Sequence, residues 1–106
     1  MNKIQRLALY EELIDYCTGI DINTKPEVGF KLFMDTKRRF RADIFMPDKG
    51  IIIEINGGQF VNGRHNRGGK GYETDLHKIN LAQFHGYKVF QFTYEMLSRQ
   101  EYKEFI

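Results

Sequence analysis

The feature that most constrains the fold is the run Ile51-Ile52-Ile53-Glu54-Ile55, which is β-branched and apolar except for one carboxylate. β-Branched side chains favour strands, and a strand that is apolar at consecutive positions is typical of one buried on both faces. The run therefore predicts a strand in the middle of a sheet. Its single carboxylate, Glu54, has to be paired, hydrogen-bonded or bound to a metal, because an isolated buried charge is costly.

Two further strands are predicted before this run. Apolar and polar residues alternate in both of them, with Phe30, Leu32 and Met34 in the first and Phe40, Ala42, Ile44 and Met46 in the second. The segment Asp35-Thr36-Lys37-Arg38 between them is typical of a turn. The pattern predicts a β-hairpin.

Helices are predicted on both sides of these strands. Apolar residues at helical spacing indicate a helix from about 3 to 18, with Gly19 as its stop signal. A second helix is predicted after Thr74 or Asp75, with Leu76, Ile79 and Ala82 on one side and an end at Gly86. A strand over 87–92 and a short helix from 94 to about 103, with Met96 and Leu97 facing inward, complete the chain. A long basic loop is predicted over 57–71, where six of the ten glycines lie.

The predicted order is α-β-β-β-α-β-α, which describes an α/β fold with a mixed β-sheet flanked by helices. The third and fourth strands are joined through a helix, so a right-handed parallel crossover is expected. At 106 residues with a net charge of +2, the chain is expected to form one globular domain. One cysteine, no zinc spacing and no apolar run of about 20 residues predict an intracellular protein.

Three carboxylates lie in strand contexts: Glu27 before the first strand, Asp43 in the second and Glu54 in the third. Two carboxylates on neighbouring strands that point at one place would repel each other, and a hard divalent cation such as Mg²⁺ resolves that conflict. Structural alternatives exist for each acid taken singly. These are a salt bridge from Asp43 to Arg39 or Arg41, a buried pair of Glu54 with Lys78 or an arginine, and, for Glu27, an ordinary loop position after Pro26.

Basic residues form two clusters, Lys37, Arg38, Arg39 and Arg41 on the hairpin and Arg64, Arg67 and Lys70 on the loop. Arginine binds phosphate through two parallel hydrogen bonds, and glycine lets backbone amides approach a ligand closely. Solvated charges are the alternative explanation. The acid-free loop next to Glu54 favours DNA as the partner, with salt-dependent contacts to the backbone rather than sequence readout.

Five blocks of the sequence resemble small phage and bacterial nucleases of the PD-(D/E)XK superfamily. The blocks are Arg39-Phe40-Arg41-Ala42-Asp43, Ile53-Glu54-Ile55-Asn56-Gly57-Gly58, Gly63-Arg64-His65, Asp75-Leu76-His77-Lys78-Ile79-Asn80 and Gly86-Tyr87-Lys88-Val89. They span roughly residues 26 to 97 in the order found in the superfamily. Within it, the pattern is most similar to the VRR-NUC and very-short-patch-repair-like branches.

The resemblance implies a restriction-endonuclease-like core in which Asp43 and Glu54 bind Mg²⁺, with Mn²⁺ as an alternative and Glu27 as a third acid. It implies DNA cleavage in the cytoplasm of a bacterium or phage-infected host. Branched, junction or mismatched DNA is the expected substrate, with RNA as an alternative. A homodimer is a further hypothesis, since cutting both strands of a junction requires a second active site. The competing interpretation is a non-catalytic DNA-binding or assembly module that keeps the nuclease fold.

One departure from the superfamily concerns the lysine usually found two residues after the glutamate, where this chain has Asn56. Asparagine can hydrogen-bond water or phosphate but carries no positive charge. Lys78 is the first candidate to activate water, and a solvated helix lysine is the alternative. Gln59 and His65 are the next candidates. The residues predicted to contact DNA are Arg39, Arg41, Gln59, Arg64, His65, Arg67 and Lys70.

Overall fold

A computed structural model describes residues 1–56 and 71–106, and of Lys70 it describes only the backbone. The helices are α1 (Lys3–Ile20), α2 (Lys70–Phe84) and α3 (Tyr94–Ser98), and 3-10 turns occur at Phe30–Leu32 and Glu101–Glu104. The strands are β1 (Lys25–Gly29), β2 (Arg41–Met46), β3 (Ile51–Ile55) and β4 (Lys88–Phe92). This order confirms the predicted α/β fold with helices around a mixed sheet.

The four strands form one sheet in the order β1-β2-β3-β4. The β1–β2 and β2–β3 pairs are antiparallel, whereas β3 and β4 are parallel, as expected for strands joined through α2. Strand β3 therefore lies inside the sheet, and Ile51, Ile52, Ile53 and Glu54 are all buried. The prediction made from its unbroken apolar run is confirmed.

Two hydrophobic clusters cover the two faces of the sheet. One joins β2, β3 and β4 to α1 and α3, and its buried members are Leu13, Cys17, Ile44, Met46, Ile51, Ile53, Phe92, Leu97 and Tyr102. The other contains Phe30, Met34, Ala42, Phe45, Ile52 and Ala82 of α2. Within residues 1–56 and 70–106, no helix has both the length and the apolar character needed to cross a membrane.

The first strand lies earlier in the chain than predicted. Strand β1 ends at Gly29, and Phe30–Leu32 forms a 3-10 turn in which Phe30 is buried while Leu32 is 82% exposed. Phe30 and Met34 are both buried and lie four residues apart, a spacing that fits a helical turn as well as a strand. The prediction of a strand over these residues is therefore wrong. The antiparallel partner of β2 exists, but the connection between the two strands is longer than a simple turn.

Three helix boundaries also differ from prediction. Helix α1 continues through Gly19 to Ile20, and α2 begins at Lys70 rather than at Thr74 or Asp75. The C-terminal helix ends at Ser98, because Gln100 adopts a left-handed backbone conformation with φ of 56° before the second 3-10 turn. The end of α2 is as predicted, since Gly86 has a φ of 91°, which favours glycine. Leu97 faces inward as expected, with no exposed surface.

Candidate functional site

Asp43 and Glu54 meet at one end of the β2–β3 pair. Ile44 pairs with Ile53, so the antiparallel register places Asp43 opposite Glu54 at the next position. Asp43 Oδ2 accepts a hydrogen bond from the Ile55 N–H at 2.7 Å, and Glu54 Oε2 accepts one from the Asp43 N–H at 3.2 Å. Each carboxylate thus bonds to the backbone of the neighbouring strand, and the predicted convergence of the two acids is confirmed.

Burial dominates the electrostatics of this pair. It raises the pKa of Asp43, against the opposing effects of the Ile55 hydrogen bond and the Lys78 ammonium, and Glu27 raises that pKa further. Burial also raises the pKa of Glu54. The Lys78 ammonium lowers that pKa, and the neighbouring Asp43 carboxylate raises it. Two acids held together with only partial compensation favour a site that binds a positively charged group.

Lys78 reaches this pair from α2. Its Nζ donates a hydrogen bond to Glu54 Oε1, and the Lys78 and Glu54 side chains are only 18% and 9% exposed. The expectation that Lys78 projects toward Glu54 is confirmed, and the alternative of a solvated helix lysine is wrong. The contact fits both a buried structural ion pair and a catalytic lysine, so the role of Lys78 in chemistry stays a prediction.

Arg39 and Arg41, the partners that the structural alternative gave Asp43, do not pair with it. Arg41 turns instead to Glu27, donating a hydrogen bond to its carbonyl oxygen at 2.8 Å and approaching Oε1 at 3.8 Å. Among the salt bridges of the described residues, none joins Asp43 to Arg39 or Arg41. Within the part of the chain that the structure describes, the Asp43 carboxylate is held by the Ile55 N–H.

The side chains of β2 change from one face of the sheet to the other at Asp43. Ile44 packs in the cluster with α1, whereas Ala42, two residues earlier, packs in the opposite cluster. On the neighbouring strand, Glu27 has a left-handed φ of 52°, although the β1–β2 register is the same on both sides of it, with Pro26 opposite Ile44 and Val28 opposite Ala42. Simple alternation predicts one face for Ala42 and Ile44, which is wrong, and the change of face lies beside the left-handed Glu27 of the neighbouring strand.

Two carboxylates fit a Mg²⁺ or Mn²⁺ ion. Such ions bind through one or two protein carboxylates together with water and substrate phosphate, and each carboxylate offers about four lone-pair positions. When both are ionised, Asp43 and Glu54 carry two negative charges, and Lys78 forms a salt bridge to one of them, Glu54. Glu27 does not complete a cluster, because the described part of the chain contains no group of three His, Cys, Asp or Glu side chains placed to hold a metal.

Asn56 is directed to β4. Its side-chain amide donates to Gln91 Oε1 at 2.6 Å, and its backbone N–H donates to the Phe92 carbonyl at 2.9 Å. Gln91 was not predicted as a site residue. Its place opposite Glu54 in the parallel register could have been found only by fixing the pairing of β3 with β4.

Helix α1 contributes to the site, although the sequence indicated only a covering helix. The Tyr10 hydroxyl donates to the Asp43 carbonyl oxygen at 2.7 Å. Burial and the nearby carboxylates of Glu27 and Asp43 raise the pKa of Tyr10 to about 12, so the hydroxyl stays protonated. Beside it lies a cavity of about 340 Å³, lined by Lys3, Arg6, Leu7, Tyr10, Glu27, Asp43, Ile55 and Tyr94.

The predicted DNA contacts are only partly visible. Arg39 and Arg41 are exposed and line a shallow groove of about 310 Å³ with Gly29, Lys31 and Phe40. Gln59, Arg64, His65 and Arg67 lie outside the described residues, as does the side chain of Lys70. No protein-family model, curated protein or solved structure matches the chain. Its function is therefore inferred from the sequence motifs and from the geometry of Asp43, Glu54 and Lys78.

Proposed function

We propose that the protein is a metal-dependent DNA endonuclease that hydrolyses phosphodiester bonds. The observation that carries this proposal is the meeting of two partly buried carboxylates, Asp43 and Glu54, with the amine of Lys78 from a separate helix. The same residues lie in the blocks that resemble the PD-(D/E)XK nucleases. A resident Mg²⁺, or Mn²⁺, would lower the pKa of a bound water and offset charge on the phosphate.

The chain's own groups have separable tasks in this reaction. Asp43 and Glu54 hold the cation, and their hydrogen bonds to the backbone fix the two carboxylates relative to each other. Lys78 Nζ donates to Glu54 and carries two further protons that can be directed to the attacking water or to a phosphate oxygen. Asn56, held by Gln91, is a neutral hydrogen-bonding group at the edge of the site.

The proposed substrate is a DNA structure rather than a sequence. The exposed side chain of Arg39 offers a guanidinium group to backbone phosphates, which every DNA sequence presents, and Arg41 is also exposed although it contacts Glu27. We therefore favour branched, junction or mismatched DNA in phage DNA processing, recombination or repair, in the cytoplasm of the host cell. Cleavage of both strands of a junction would be performed by a homodimer.

A cleavage assay tests the proposal directly. Labelled duplex, single-stranded, nicked, mismatched and four-way-junction DNA are incubated with Mg²⁺, Mn²⁺ or EDTA, using the wild type, Glu54→Ala and the matched control Glu11→Ala at an exposed position of α1. We expect metal-dependent cleavage by the wild type and by Glu11→Ala, and none by Glu54→Ala. Circular dichroism establishes that both variants are folded. Equal cleavage by Glu54→Ala, or no cleavage of any substrate by the wild type, would refute the nuclease assignment.

A non-catalytic DNA-binding module is the second candidate. It is favoured by the bond from Lys78 to Glu54, which neutralises one carboxylate without a metal, and by the capture of the Asn56 amide by Gln91. This candidate predicts DNA binding in EDTA, no cleavage in either metal and no heat of Mn²⁺ binding in titration calorimetry. Measurable Mn²⁺ binding that is lost in Asp43→Asn would contradict it, since a binding module gains nothing from two adjacent acids.

A further inference from the structure

The cavity beside Asp43 has walls of opposite charge. Lys3 and Arg6, one turn apart on α1, line one part of it, while Glu27 and Asp43 line another. Tyr10 and Tyr94 add aromatic surface. A space of about 340 Å³ with cationic side chains and carboxylates around it suits a negatively charged ligand. Such a ligand would also lie close to a metal ion held by the carboxylates.

Lys3 and Arg6 take no part in the ion pairs of the described residues. The salt bridges among residues 1–56 and 70–106 join Arg41 to Glu27, Lys78 to Glu54 and Arg99 to Glu101, and so leave out Lys3 and Arg6. The Arg6 guanidinium lies 5.8 Å from the centre of the Tyr94 ring, which orients it without neutralising it. Both side chains therefore keep their positive charge available for a ligand.

The side chains, rather than the end of the helix, are the source of this positive surface. Asn2 caps α1 by accepting the Gln5 N–H at 2.8 Å, and the Gln5 side chain accepts the Asn2 N–H at 2.8 Å. The capping box thus engages two backbone N–H groups, which are therefore not donors to an anion. What remains is a guanidinium and an ammonium on one helix, next to the cavity and on the same side as Asp43.

We infer that this cavity binds a backbone phosphate of the DNA strand being cut, with Lys3 and Arg6 as the contacting groups. The inference rests on the proposed nuclease function and adds the path of the strand to it: the DNA passes along α1 and past Tyr94 before it reaches Asp43. A phosphodiester satisfies the cavity chemically, because its anionic oxygens accept from both cations and its sugar can lie against the tyrosine rings. Arginine forms the more directional of the two contacts.

Salt-dependent binding tests this inference separately from cleavage. Fluorescence anisotropy measures the affinity of labelled four-way-junction and duplex DNA in EDTA over a range of salt concentrations. The cavity variant carries both Lys3→Gln and Arg6→Gln, and the matched control carries both Lys49→Gln and Lys88→Gln. The control removes two exposed lysines at the opposite end of the β3–β4 pair and so gives the same net charge.

We expect the Lys3/Arg6 pair of substitutions to weaken binding at least tenfold and to reduce the slope of log K against log salt by about 1 to 2. The control is expected to change affinity less than threefold. Arg6→Lys, which keeps the charge, should retain most of the affinity. Since Lys3 is exposed, Lys3→Gln alone gives a folded variant with a smaller change in the same direction.

Equal losses in the cavity variant and the control would overturn the inference, because they would report net charge alone. No loss in the cavity variant would also overturn it. If the wild type does not cut DNA but the cavity variant selectively loses binding, the nuclease function fails and the phosphate site stands. If the wild type cuts and the cavity variant binds normally, the phosphate site fails and the nuclease function stands.

Discussion

The backbone N–H of Asp43 donates to the carboxylate of Glu54, so the two acids of the candidate site are joined through the strand that carries one of them. Asp43 returns the contact by accepting from Ile55, the residue after Glu54. The acids therefore cannot move apart without breaking these two hydrogen bonds. Their mutual repulsion is built into the folded state, and Lys78 provides the compensating charge.

Removal of that compensating charge should make stability depend on divalent cations. Lys78→Met leaves two partly buried carboxylates without a cation, and we expect a loss of about 3 kcal/mol in the free energy of unfolding in EDTA. Mg²⁺ or Mn²⁺ should restore part of the loss by binding only the folded state. Urea denaturation with and without metal measures both effects.

The matched control for this variant is Lys88→Met, at an exposed position on β4. Its free energy of unfolding should stay within about 0.5 kcal/mol of the wild-type value. A Lys78→Met protein that is destabilised but gains nothing from either metal would contradict the metal site at Asp43 and Glu54.

Asn56 and Lys78 should differ sharply in their importance for cleavage. Asn56→Ala removes a hydrogen bond to the exposed Gln91, and we expect the single-turnover rate to fall less than about tenfold, or 1.4 kcal/mol. Lys78→Met removes a positioned proton donor, for which a loss of about a hundredfold or more is expected. Rapid-quench measurements with saturating enzyme separate this effect from binding. The opposite ranking would assign water activation to Asn56.

Tyr10 should act as a positioning residue. Tyr10→Phe removes the hydroxyl that donates to the Asp43 carbonyl, at a cost of about 1 kcal/mol in stability. The cleavage rate should fall several-fold while the Kd for DNA in EDTA stays unchanged, because the ring and its cavity surface remain. Tyr72→Phe, at an exposed position on α2, is the control. A change in Kd without a change in rate would place Tyr10 in binding instead.

Asp21 should govern stability at acid pH. It is 2% exposed and accepts hydrogen bonds from the N–H groups of Asn23, Asp48 and Lys49. Burial acts to raise the pKa of Asp21, but these hydrogen bonds outweigh it and hold that pKa below its usual value. A lowered folded pKa contributes stability above the unfolded pKa of about 3.9, and this stability is lost as the pH falls through the folded pKa.

Asp21→Asn should therefore cost about 2 kcal/mol at pH 6, with the difference from wild type shrinking below about pH 4. Thermal unfolding between pH 3 and pH 7 measures this. Asp15→Asn, at an exposed position on α1, should show no such convergence. Parallel stability curves for wild type and Asp21→Asn would show that the Asp21 carboxylate does not couple folding to protons.

The sequence predicted elements whose burial pattern is unambiguous. The apolar run at Ile51–Ile55 predicts an interior strand, and the helix between it and β4 favours the parallel pairing that is observed. Phe30, Leu32 and Met34 were ambiguous, since residues two apart can also lie on a helical turn, and tertiary packing chose the turn. The start of α2 had no clear capping signal at Lys70, so the stronger local signal at Thr74 and Asp75 was misleading.

The candidate site was predictable as far as it depends on strand neighbours. Asp43 and Glu54 come together because β2 and β3 are adjacent, and Lys78 lies on the helix that follows β3. The contributions of Tyr10 and Gln91 depend on how α1 packs and on the exact register of β4. Neither is encoded in a local pattern, because both arise from contacts between residues more than 30 positions apart.

The irregular backbone at Glu27 has a consequence for self-association. Among the described strands, β1 lies at one edge of the sheet, and an edge strand with a regular row of free N–H and C=O groups can pair with another molecule. Pro26 has no N–H to offer, and the left-handed conformation of Glu27 interrupts the extended backbone beside it. With only five residues, β1 is a poor template for an incoming strand, so the protein is protected at this edge against β-sheet aggregation.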